Sequence, residues 1–202
     1  MRWFILWLLW PVAGFADPVD SVEQAAKTAF AEMPRIRMVR EIAGNCGADE
    51  TVNIHVAYCT SQNVIFMTRA ARALPQTGYL AAHSYGHAVQ VRHGVADFAL
   101  SQIRARRGEE AILRGLAERQ VDCIAGFLVA RAGQPQAALT DWFDDDPFSD
   151  VHWGRNPLRV GPVIRVDLQA RDEWFQIGQR GDLAACGPGE FTANLLLDAL
   201  RG

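Results

Sequence analysis

Four cysteines constrain this chain more than any other feature, because of the segment that precedes them. Met1-Arg2 is a short positive start, Trp3 to Val12 is almost wholly apolar, and Ala13-Gly14-Phe15-Ala16 supplies small residues at positions −1 and −3 of a cut after Ala16. Residues 1–16 therefore have the pattern of a secretory signal peptide. The apolar run is shorter than the about 20 residues that a membrane-spanning helix needs. The expectation is a periplasmic or secreted protein, with no transmembrane segment in the mature chain. Cys46, Cys59, Cys123 and Cys186 then meet an oxidising compartment, which favours two disulfides. No two of them have the CxxC spacing of a zinc knuckle or a thioredoxin site. Three pairings are open from sequence alone. Cys46–Cys59 is the natural local pair, closing a short hairpin-like loop. It leaves Cys123–Cys186 to tie a helix to the C-terminal segment.

The 202 residues suit one ordinary domain behind the leader. A formal net charge of −3 gives no broad basic footprint, so nucleic acid is not an expected partner. Helical spacing runs over residues 19–32, with Val22, Ala26, Phe30 and Met33 on one face and Pro34 ending it. Residues 41–50 are rich in turn formers. Val52 to Tyr58 and Asn63 to Met67 read as a β-hairpin. Pro75 opens a helix to about Val91, a second runs from Phe98 to Arg106, and a third from Glu109 to Ala130. In the third, Ile112, Leu113, Leu116, Val121, Ile124 and Leu128 fit a period of 3.6. Residues 133–170 are loop-rich and carry the acidic run Asp144-Asp145-Asp146, which lacks the alternation and glycine of a calcium loop. A helix near Ala170 to Gly178 and a short C-terminal helix complete an α+β, mostly helical chain.

His83-Ser84-Tyr85-Gly86-His87 lies inside the first strong helix. Two histidines at i and i+4 share one helix face, one turn apart. Their imidazoles can converge on one tetrahedral zinc. Glu118-Arg119-Gln120-Val121-Asp122, in the third helix, again sets two groups four residues apart. Glu118 suits a third ligand, and Asp122 suits the hydrogen bond that fixes the tautomer of a ligand histidine. His55 and His93 have no partner at ligand spacing, and Arg104-Ala105-Arg106-Arg107 reads as a solvated loop.

Cys46-Gly47, Tyr58-Cys59, His83 to Gln90 (HSYGHAVQ), Glu118 to Gly126 (ERQVDCIAG), and Trp174-Phe175 through Gly181-Asp182 to Cys186 follow one another in the chain. In that order they resemble the bacterial neutral zinc metallopeptidases. Those carry a CG element, a YC-containing hairpin, HExGHxxQ, ELQADCxAG and a WF…G…GD…C segment. The resemblance spans residues 46–191. It implies a zincin-like fold over 46–202, with an active-site helix and a small sheet, behind an N-terminal helical segment at 17–45. It also implies zinc as the cofactor, held by His83, His87 and Glu118, with Asp122 behind them.

Two positions depart from that pattern. Where the family has the Glu that acts as general base on the attacking water, this chain has Ser84. A serine hydroxyl cannot take that proton near pH 7, and general acid–base catalysis is worth roughly 10² to 10⁴ in rate. The family's His-Gly ahead of its WF segment, a candidate oxyanion stabiliser, is replaced by Arg165, or by His152 if residues 153–164 are an insertion. The expected function is a zinc-binding, metallopeptidase-like protein with peptidase activity lost or strongly reduced, acting as a binding module for a peptide or protein. The alternatives are an active zinc hydrolase that uses another base such as His152, and a metal-free structural module.

Overall fold

The computed structural model describes residues 17–48, 53–148 and 166–201. The proposed leader at 1–16, the start of the first expected strand at Val52, and the oxyanion candidates His152 and Arg165 lie outside the described residues. The chain is α+β and mostly helical, with one small sheet. Among the described residues no helix is long and apolar enough to cross a membrane.

Helix α1 spans Pro18–Ala29. Proline suits its first turn, and the Asp17 carboxylate accepts from the Val19 and Asp20 amides. Val22 and Ala26 are fully buried, as is Phe30 just beyond the helix. The helix stops short of the expected 32 because Phe30 turns extended and bridges Leu200 near the C-terminus. Strand β1, Arg35–Val39, is an addition to the sequence reading; β2 is Val56–Cys59 and β3 is Val64–Thr68. The order is β1-β3-β2, with β1 parallel to β3 and β2 antiparallel to it. The expected hairpin is therefore β2–β3, and all five residues of β3 are buried at the centre. The 17–45 segment thus supplies a helix to the main core and a strand to the sheet.

A single turn, α2 (Arg69–Arg72), leads into α3 (Thr77–Arg92), α4 (Val95–Ala105) and α5 (Glu110–Arg131). Arg104 and Ala105 close α4, and Arg106 pairs with Glu109 and Glu190, so this cluster is a helix end with ion pairs rather than a solvated loop. His93 caps the C-terminus of α3, its amide donating to the Val89 carbonyl. Helices α6 (Leu168–Gln179) and α7 (Asn194–Ala199) follow. Helix α5 packs between α3 and α6, and its second half is buried on nearly every side.

Glycines set how closely these helices approach. A Cβ on Gly86 would stand 2.9 Å from both the carbonyl oxygen and a methyl of Val121, so α3 crosses α5 with backbone almost in contact. Gly126 and Gly178 do the same between α5 and α6: their Cβ positions would fall 2.0 Å from the Phe175 carbonyl oxygen and 1.9 Å from that of Cys123. Disulfides join Cys46 to Cys59 and Cys123 to Cys186, leaving no free thiol. Such pairs persist in an oxidising compartment.

Candidate metal centre

The crossing at Gly86 brings the buried face of α3 against the Glu118–Asp122 turn of α5. His83 Nε2 and His87 Nε2 face each other at 3.2 Å. Glu118 stands opposite, with its Oε2 3.8 Å from His83 Nε2 and its Oε1 3.8 Å from His87 Nε2. Ligand atoms of these three residues all lie within 4.8 Å of one another, an arrangement that could hold a metal ion. A tetrahedral zinc with bonds near 2.0–2.1 Å needs ligand atoms about 3.3 Å apart. The observed triangle is close to that, and two imidazole nitrogens at 3.2 Å require a proton or a cation between them. The donor set of two imidazoles and one carboxylate suits a borderline-soft divalent ion.

Asp122 lies behind His83. Its Oδ1 is 3.0 Å from His83 Nδ1 and also accepts from the Tyr79 hydroxyl at 2.9 Å. With its Nδ1–H given to Asp122, His83 presents an unprotonated Nε2 to the triangle. Asp122 Oδ2 accepts from Arg171 Nη1 at 2.8 Å. The same Nη1 stands 3.4 Å from Glu118 Oε2, and Arg171 Nε donates to Asp146 Oδ1 at 2.8 Å. Phe148 stacks on the His83 ring, 3.8 Å between centroids at 11°. The side chain of His87 is 21% exposed against 4% for His83 and 7% for Glu118, so solvent reaches the triangle from the His87 side.

The electrostatics follow from burial. Desolvation holds the His83 imidazole well below its usual pKa, with the neighbouring His87 adding to it and Glu118 opposing. Desolvation also lowers His87, again against the pull of Glu118. Both rings are kept neutral, the form in which imidazole binds a metal. Burial raises the Asp122 carboxyl, while Arg171 and the Tyr79 hydroxyl pull it back. Burial disfavours the Arg171 charge, but Asp122, Glu118 and Asp146 more than offset it. Three carboxyl groups, Asp122, Glu118 and Asp146, thus surround one guanidinium, a cluster whose oxygens suit a divalent cation.

Ser84 does not enter this arrangement as an acid or base. Its side chain is turned along its own helix, and its hydroxyl donates to the Leu80 carbonyl oxygen at 3.2 Å. Sequence reasoning names His83, His87, Glu118 and Asp122 and misses Tyr79, Phe148, Asp146 and Arg171. Tyr79 had a visible signal, since it precedes His83 by one helical turn. In the sequence Asp146 is one of an acidic run without the pattern of a calcium loop; in the fold its side chain is only 5% exposed beneath Arg171. Comparison with protein-family models, curated proteins and solved structures gives no match.

Proposed function

We propose that this chain is an exported zinc-binding protein of the neutral zinc metallopeptidase type, with a zincin-like fold, whose peptidase activity is lost or strongly reduced. The site then serves to bind a peptide strand or a partner protein. One observation carries this reading: His83, His87 and Glu118 converge with Asp122 hydrogen-bonded behind them, while position 84 holds a serine bonded to its own helix. Zinc, when bound, would supply Lewis acidity toward a carbonyl oxygen of the bound chain. His83 Nε2, His87 Nε2 and the Glu118 carboxylate would hold it. Asp122 keeps the His83 ring in one orientation and one tautomer. Tyr79, itself bonded to Asp122, holds that carboxylate in place. The Ser84 hydroxyl, bonded to its own helix, neither accepts nor returns a proton, so a peptide at the site is held rather than cut.

Purified protein tests this directly. Elemental analysis should find stoichiometric zinc, lost in His87→Ala, with no casein hydrolysis above background. Absence of zinc uptake overturns the metal half of the proposal. Robust, chelator-sensitive proteolysis overturns the inactive half. A second reading, a metal-free structural module, is favoured by Arg171, whose guanidinium already lies between Glu118 and Asp122. In that case added zinc leaves the melting temperature unchanged, whereas a ligand specific for the folded state must raise it.

A further inference from the structure

Arg171 has the largest fully buried side chain among the described residues, at 1% exposure. A guanidinium is placed there at considerable desolvation cost, and it is fixed at several points. Its Nε is bound to Asp146 and its Nη1 to Asp122, both at 2.8 Å, and its Cζ lies 5.4 Å from the Phe148 ring centroid. The helix that carries it packs backbone to backbone against α5 at Gly126 and Gly178. Arg171 Nη1 is thereby held 3.4 Å from one oxygen of Glu118, Oε2. Both Glu118 oxygens face the histidines, Oε2 at 3.8 Å from His83 Nε2 and Oε1 at 3.8 Å from His87 Nε2, but only Oε2 also has the guanidinium beside it.

Of the two Glu118 oxygens, Oε2 has a lone pair turned toward the guanidinium and Oε1 has none so engaged, which makes Oε1 the stronger donor to a cation. Two imidazole nitrogens and one such oxygen make three single-atom ligands with one open position, the geometry of a four-coordinate zinc site. A carboxylate free to bind through both oxygens would instead admit larger, oxygen-preferring ions of higher coordination number, such as calcium. The geometry points to Arg171 as a positioning residue that makes Glu118 a one-oxygen ligand and so biases the site toward a small four-coordinate cation. This inference rests on the metal-binding reading above and adds to it the device that selects the ion.

Cobalt(II) reports coordination number through its visible spectrum, and the full chain can be loaded with it. The wild-type complex should show the intense bands of four-coordinate cobalt. Arg171→Lys keeps a positive charge but loses the planar fork. It should shift the spectrum toward the weak bands of higher coordination and weaken zinc binding by roughly 10- to 100-fold. Calcium competition should become measurable only in the variant. An Arg171→Lys protein with unchanged cobalt spectrum and unchanged zinc affinity overturns the inference. Should the variant fail to fold, X-ray absorption on zinc-loaded wild type decides: a single carboxylate oxygen among the ligands supports it, and a two-oxygen carboxylate overturns it. Wild type that binds neither cobalt nor zinc removes the metal reading itself, and this inference with it.

Discussion

The hydroxyl at position 84 donates to the carbonyl oxygen one turn back, a bond that spends the side chain on its own helix. A longer carboxylate at this position would have to leave that bond and swing toward the histidine face. Ser84→Glu is expected to raise chelator-sensitive hydrolysis of a casein-type substrate by about 10² to 10⁴, the worth of a positioned base. A fluorogenic peptide assay on both proteins measures it; no gain means that a carboxylate at this position does not suffice for hydrolysis. At this scale the site was largely legible. The spacings His83–His87 and Glu118–Asp122 each repeat one helical turn, and side chains so spaced share a face whatever the tertiary structure does. Arg171 and Asp146 were illegible for the opposite reason. They are 25 residues apart and meet through the packing of α6, which no local pattern encodes.

At the scale of elements, the helices were readable and one strand was not. α3 and α5 are long, bounded by turn formers, and differ from their expected limits by a residue or two. β1 alternates Arg35, Ile36, Arg37, Met38 and Val39, yet it is short, lies at the edge, and exposes its arginines. It is a strand because β3, which lies well beyond it in sequence, offers a parallel partner. Helix spacing is the feature that turns these elements into a site, and it depends on absent side chains. Gly178→Ala would drive a methyl against the Cys123 carbonyl oxygen, which is backbone and cannot swing aside. Overpacking costs about 1–3 kcal/mol, against a helix-propensity gain of about 1 kcal/mol. The variant should lose stability at the upper end of that range. Its zinc affinity should fall as well, because Arg171 moves with α6. Urea denaturation and zinc titration of the same preparation check both outcomes.

Over the whole molecule, the two disulfides do unequal work. Cys46–Cys59 closes a separation of 13 residues and Cys123–Cys186 one of 63. Chain-entropy arguments give about 3 kcal/mol for the first and about 4 kcal/mol for the second. The second also ties the C-terminal segment to the residue next to Asp122, and both its cysteines are fully buried. Replacing Cys123 and Cys186 together by Ala should therefore lower the urea midpoint more than replacing Cys46 and Cys59. Only the Cys123 and Cys186 substitutions should weaken zinc binding.

Acid sensitivity links the site to global stability. The unfolded chain takes up protons on His83 and His87 near pH 6.5, the ordinary histidine value, roughly a neutral-to-acid boundary for this protein. In the folded state burial keeps both rings neutral to lower pH, His83 most of all. Stability from this source is present above about pH 6.5 and is lost as pH falls below it toward the folded values. The limiting slope is about 1.4 kcal/mol per pH unit for each ring, and less for His87, which is partly open to solvent. The Asp122 carboxyl is raised by burial, so its own contribution runs against that of the imidazoles as pH falls. The metal-free protein should therefore show a lower urea midpoint at about pH 5.5 than at about pH 7.5, and His83→Gln should flatten the difference. Zinc-loaded protein should respond more steeply, because protons then compete with the ion for the same nitrogens. Equal midpoints at the two pH values in metal-free wild type would mean that the rings are not held neutral by the fold. The triangle they form with Glu118 would then lack the form of imidazole that a metal needs.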